Sequence, residues 1–166
     1  GDMLKKTEVE ISSQETGESL HDKLAAAGAV LCVETLKGLE EGTVVPEKQG
    51  ESPTAYAKML TKQLGDIDWT RPAAEIERLV RGLNSWPGAY TNWNGKVLKI
   101  WKARVAEEEK ARKAGLDMTE TDAARVTLSG YVAFVERDAF SVRTGSGLLQ
   151  VEEVQVPGKK RMETGA

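Results

Sequence analysis

Cysteine and histidine each occur once in this chain, and aromatic residues make up only 5% of it. A single thiol cannot close an internal disulfide, so nothing points to an oxidising compartment. No apolar run approaches the roughly 20 residues that span a bilayer, which argues against a membrane role. The start carries no basic and apolar leader, and the expected location is the cytoplasm. Metal-ligand spacing, a phosphate-binding glycine loop and a serine-nucleophile motif are all missing.

What is present is the composition of a soluble globular protein, 40% hydrophobic and 30% charged over 166 residues. That length suits one ordinary domain or a small domain with a helical annex. The net charge of -3 excludes a uniformly basic coat. Its distribution is uneven, however. Residues 1 to 85 hold ten Lys and Arg against fifteen Asp and Glu, while residues 86 to 166 hold thirteen against eleven. The second half is therefore the better candidate for meeting phosphate.

Residues 3 to 11 alternate loosely and read as a strand without a partner. Thr16 or Ser19 can cap a helix carrying Leu20, Leu24, Ala27 and Leu31 on one stripe, extended by Leu36 and Leu39 until Gly42. The aperiodic stretch from Thr43 to Gly50 reads as a linker. Ser52-Pro53 is expected to start a short helix through Leu60. Thr70 with Pro72 starts another, whose Ile76, Leu79, Val80 and Leu83 share a face. Beyond Asn84 the period becomes strand-like, with runs at 89 to 93, 96 to 105, 130 to 136, 139 to 144 and 148 to 156. Asn94-Gly95 marks a tight hairpin, because both positions tolerate positive φ. Residues 106 to 129 are charged and Ala-rich and read as a solvated loop. The expected fold class is α+β, a helical amino-terminal part and linker followed by a five- or six-stranded barrel of the oligonucleotide-binding type.

Several segments resemble a known family. Arg81-Gly82-Leu83-Asn84-Ser85-Trp86-Pro87-Gly88-Ala89-Tyr90, followed by Gly95-Lys96-Val97-Leu98-Lys99-Ile100-Trp101-Lys102-Ala103, is similar to the carboxy-terminal domain of methionyl-tRNA formyltransferases. Thr54, Tyr56 and Lys58 before Ile67-Asp68-Trp69 fit the same pattern, as do Ser19-Leu20-His21-Asp22-Lys23-Leu24 and the ending Gln155 to Met162. Ser85 departs from it, standing where the family usually has proline, and residues 106 to 129 exceed the usual connection. The resemblance implies that residues 1–42 are the end of a Rossmann-like formyltransferase domain, 43–70 a linker with a short helix, and 71–166 the barrel. It also implies that the catalytic residues lie before Gly1, that this chain alone is inactive, and that it binds no cofactor itself. The parent enzyme would use 10-formyltetrahydrofolate. The implied partners are initiator Met-tRNA, in translation initiation, and the amino-terminal formyltransferase domain, with the chain a monomer. A related formyltransferase, a formyltetrahydrofolate hydrolase and a noncatalytic interaction module are the alternatives.

Moving a formyl group to an amine requires a proton acceptor, a donor and polarisation of the formyl oxygen. His21 has no Cys, Asn or carboxylate pair spaced to work with it, so a structural or solvent role is expected. Cys32, one step off the apolar stripe, reads as a small buried hydrophobe. Binding is the better prospect. Lys96, Lys99, Lys102 and Arg104 interleave with Trp93 and Trp101, and Lys159-Lys160-Arg161 follows the last strand, a composition suited to phosphates. Lys58 and Lys62, one turn apart on the expected linker helix, complete the candidate tRNA-binding set. Strict alternation would put Lys96, Lys102 and Arg104 on the face of Leu98 and Ile100, with Lys99 opposite, so a clean basic face requires a bulge. Trp69, Trp86 and Trp101 are expected to be core or interdomain anchors.

Overall fold

The computed structural model describes residues 1–51, 54–107, 109 and 128–165, which divide into two compact units, Gly1–Met59 and Leu60–Ala166. The break falls within the stretch read as a linker. The expected solvated loop lies largely outside the described residues, as does the Ser52-Pro53 helix start.

The first unit is built on helix α1, Gly17–Glu40. Its start is fixed by a reciprocal capping box: Thr16 Oγ1 accepts from the Ser19 amide at 3.1 Å, and the Thr16 amide donates to Ser19 Oγ at 3.0 Å. Its end is closed by Gly42 in the left-handed region at φ 69°. The Gly42 amide donates to the Leu39 carbonyl and the Thr43 amide to the Gly38 carbonyl, which satisfies two of the last helical acceptors. Leu24, Leu36 and Leu39 of the apolar stripe remain largely exposed, as does Cys32, contrary to the buried role expected of it. The expected strand over residues 3–11 does not form. Met3 alone pairs, exchanging both backbone hydrogen bonds with Glu47 at 2.7 and 2.8 Å. A strand needs a partner along its length, and this segment has one at a single residue.

Glu15, just before the helix, is buried at 7% exposure. It accepts from Ser19 Oγ and Lys23 Nζ. The hydrogen bond from Lys23, then that from Ser19, holds its carboxyl down from the ordinary 4.5 to about 2. A depressed folded-state value means that the ionised form stabilises the native state above pH 4.5. That contribution fades as the pH falls from 4.5 towards 2. Glu15→Gln should remove this acid-sensitive component. Helicity followed by circular dichroism from pH 7 to 2 should then decline less in the variant, and parallel curves would refute the assignment.

The expected helix through Leu60, whose residues fall on both sides of the division at Met59, is absent where described. Residues 55–61 are irregular, and a single 3₁₀ turn occupies Lys62–Gly65. Helix α2, Ala73–Gly82, follows Pro72 at its amino-terminal boundary. Before it, Asp68 Oδ1 accepts from the amide and hydroxyl of Thr70 at 2.9 and 2.6 Å, a local turn that lowers the Asp68 pKa. Ile76 and Val80 lie on one stripe of α2 and, with Leu83 at its carboxy-terminal cap, are buried. Burial of each such side chain contributes about 1.5–3 kcal/mol.

Six antiparallel strands follow: β1 Ala89–Trp93, β2 Lys96–Val105, β3 Val132–Val135, β4 Phe140–Arg143, β5 Leu148–Gln155 and β6 Met162–Glu163. Their order is β1-β2-β5-β4-β3, with β6 pairing β5. The hairpin tip has Asn94 at φ 48° and Gly95 at φ 73°, the two positive values that a tight two-residue turn demands. Helix α2 packs across β2 and β5, where Ile76 and Val80 join Ile100, Ala103, Leu149 and Val151 in the core. Trp93 of β1 and Val132 of β3, at opposite edges of the sheet, line the same apolar hollow of about 340 Å³. The sheet is therefore curled in the manner of a small barrel.

Candidate nucleic-acid interface

Strand β2 begins with ordinary alternation: Leu98 and Ile100 point to the core, and Ile100 is buried opposite Val154. Strict continuation would turn Lys102 inward. The register instead shifts between Ile100 and Lys102 and again between Lys102 and Ala103, so that Ala103 becomes the next buried residue, opposite Val151. This irregularity supplies the bulge that a basic face requires. It delivers Lys102 and Arg104 to the outer side, where Lys99 and Trp101 already stand. Lys96 keeps the other parity, opposite Trp93 at the hairpin end.

Trp101 is the centre of this outer face and does not join the core of its unit, the first of the two roles expected of it. Lys99 Nζ lies 5.7 Å and the Arg161 guanidinium 5.2 Å from its ring centroid, both within reach of a cation–π attraction. The indole Nε1 donates to Gln155 Oε1 at 3.1 Å, while Gln155 Nε2 donates to the Lys159 carbonyl at 2.9 Å. One glutamine thus ties the indole to the turn that carries Lys159-Lys160-Arg161. That turn has Pro157 and then Gly158 at φ 75°, with the Lys159 amide donating to the Val156 carbonyl at 3.0 Å. Pro preset at the first central position and Gly at the second favour a type II turn. Arg161 is additionally paired with Glu153.

The cations differ in availability. Lys159, Lys160 and Lys96 are exposed and Lys99 half-exposed, and none forms an ion pair among the described residues. Lys102 and Arg104 are both engaged by one carboxylate, Glu152, at 3.0 and 2.7 Å. Beside them lies a basin of about 560 Å³ bordered by five carboxylates, Glu136, Asp138, Glu152, Glu153 and Glu163, and by Lys102, Arg104 and Arg137. Lys58 lies in irregular chain of the first unit and Lys62 opens the 3₁₀ turn of the second, so the single helix expected to carry both does not exist. His21 is exposed beside Asp22 at 3.3 Å. Trp69 packs against the core and donates to Thr91 Oγ1 at 3.0 Å, whereas Trp86 is 57% exposed and is no core anchor of its unit. No group of side chains among the described residues could hold a metal ion, and no described helix is long and apolar enough to cross a membrane.

Sequence reasoning missed Glu152, Glu153 and Gln155, which decide which cations are free and how they are held. A signal existed, since an antiparallel β5 beside β2 would place Glu152-Glu153 against the lysines.

Residues 59–166 match the family described as formyl transferase, C-terminal domain. A methionyl-tRNA formyltransferase of Agathobacter rectalis is 46% identical over 166 residues, covering 100% of this chain and 49% of the relative. That of Halothermothrix orenii is 38% identical over 167 residues, covering 98% of the chain and 48% of the relative. The chain thus spans about half the length of the curated relatives it matches, in their carboxy-terminal half. Among solved structures, HypX from Aquifex aeolicus in complex with tetrahydrofolic acid aligns with a TM-score of 0.51 and 20% identity over 80% of this chain and 21% of that one. WlaRD, a sugar 3N-formyl transferase, aligns with a TM-score of 0.58 and 16% identity over 96% and 51%. At these identities the structural likeness concerns the fold alone.

Proposed function

This chain belongs to the formyl transferase C-terminal domain family, and on that premise we propose that it is the RNA-gripping portion of a methionyl-tRNA formyltransferase, holding initiator Met-tRNA during formylation. The supporting observation is the cluster around Trp101. Lys99 and Arg161 flank its ring, Lys159 and Lys160 are exposed in the chain just before Arg161, and of these four only Arg161 forms an ion pair among the described residues. Exposed cations without partners release counterions when they meet phosphates, giving a grip that depends on charge rather than base sequence. Lys96, on the other parity at the hairpin end, and Lys62 are further candidate contacts; Lys58, in the other unit, is proposed as a separate one.

The whole enzyme would draw its formyl group from 10-formyltetrahydrofolate. The residues described do not fit that donor. The charged basin is bordered by five carboxylates that would repel the folate's own, and His21 stands exposed with only Asp22 beside it. No step of the transfer is therefore assigned to these residues.

Titrating the chain with initiator tRNA at several salt concentrations tests the reading. Affinity should fall steeply with salt. The triple variant Lys159→Ala, Lys160→Ala, Arg161→Ala should lower the slope of log affinity against log salt by about 2–3, since each phosphate contact contributes about 0.9. Salt-independent binding, or a triple variant indistinguishable from the parent, would refute it.

A further inference from the structure

Glu152 sits on β5 between two cations of β2. One carboxylate oxygen accepts from Arg104 Nε at 2.7 Å and the other lies 3.0 Å from Lys102 Nζ. The two cations are more than half exposed, at 61% for Lys102 and 55% for Arg104, while the Glu152 side chain is only 23% exposed. A mobile, solvated partner would yield easily to a phosphate. A carboxylate this far removed from water does not, because releasing its cations would leave it poorly hydrated. It would also stand uncompensated beside Glu153, Asp138 and Glu163 on the rim of the same basin.

The bulge in β2 otherwise creates a continuous outer line, Lys99, Trp101, Lys102 and Arg104. Left free, all of its cations would attract any polyanion. Only the end near Trp101 is free, and the other end is neutralised and bordered by acid.

We propose that Glu152 is a specificity-determining residue that confines RNA to the Trp101 end of this face by occupying Lys102 and Arg104. The inference rests on the RNA-binding reading above. Discrimination here comes from a built-in competitor and not from an added contact: a ligand that must cross the acidic basin is rejected, and nonspecific RNA affinity is held down.

The test measures binding of a mixed-sequence RNA duplex to the full chain across a range of salt concentrations. Glu152→Gln keeps the shape and frees two cations, so binding should tighten several-fold and the salt slope should steepen by about 1–2. Asp138→Asn removes one negative charge from the same basin without releasing a cation, and should leave the slope unchanged. In the parent chain, Lys102→Gln combined with Arg104→Gln should alter the dissociation constant less than twofold, whereas in the Glu152→Gln background the same pair should cancel the gain. The parent half of this arm does not need Glu152→Gln to fold. Unchanged affinity in Glu152→Gln overturns the proposal, and so does a tenfold loss from the Lys102 and Arg104 pair in the parent. If the parent binds initiator tRNA but ignores the duplex while Glu152→Gln binds it, Glu152 is the barrier to nonspecific RNA; if the parent binds neither RNA, the RNA-binding reading falls and this inference with it.

Discussion

Gly145→Ala is expected to cost the second unit about 3 kcal/mol or more, lowering its melting temperature by roughly 10–20 °C. The turn between β4 and β5 is pressed against the chain that leads into α2. A Cβ added to Gly145 would lie 1.8 Å from the carbonyl oxygen of Thr70 and 2.6 Å from its carbonyl carbon. Both are backbone atoms, so no side-chain rotation relieves the clash. The contact is also cohesive: the Gly145 amide donates to the carbonyls of Trp69 and Arg71 at 2.9 and 3.1 Å, and the Ala73 amide donates to the Ser146 carbonyl at 2.9 Å. Pushing the turn away would break the bonds that seat the start of α2 on the sheet. Thermal unfolding followed by circular dichroism measures the effect, and a melting temperature within about 3 °C of the parent would show that this contact is dispensable.

Ile76→Ala should be nearly as damaging, at about 2–5 kcal/mol, because it removes three carbons from a closed site and leaves a cavity that rigid neighbours fill incompletely. Ile76 is 2% exposed, and its core partners Ile100, Leu149 and Val151 come from two strands. Urea denaturation checks the value; a loss below about 1 kcal/mol would mean that α2 repacks freely. The two substitutions act on the same anchorage of α2, so their combined cost should fall short of the sum. Neither residue lies on the Trp101 face. RNA affinity measured well below the melting transition should consequently stay at the parental level, which separates damage to the scaffold from damage to the grip.

The parts of this architecture that were legible in the sequence are those specified by neighbouring residues. The Thr16-Ser19 cap, the Gly42 stop, the Asn94-Gly95 turn and the extents of β1 and β2 each follow from local chemistry, and the structure places them where that chemistry predicts. What was illegible depends on partners distant in the chain. Residues 3–11 carry a strand-like pattern and no neighbouring strand to complete it. Around Tyr56 the chain holds good helix formers, but a segment this short with Tyr56 and Met59 exposed has too little packing to sustain a helix. The bulge in β2 occurs within Ile100-Trp101-Lys102-Ala103, which contains no glycine to announce it. The candidate site was half visible for the same reason. Its cations could be counted, but their neutralisation by Glu152 and Glu153 depends on which strand lies beside β2, and the outward position of Trp101 depends on the bulge.

The cation-flanked indole of Trp101 makes the protein its own optical reporter. Emission from an indole responds to charges over its ring, so a polyanion that draws Arg161 or Lys99 away changes the signal without any attached dye. Trp86 and Trp93, each more than half exposed, supply the background, and converting both to phenylalanine would leave Trp101 and the packed Trp69 as the remaining indoles.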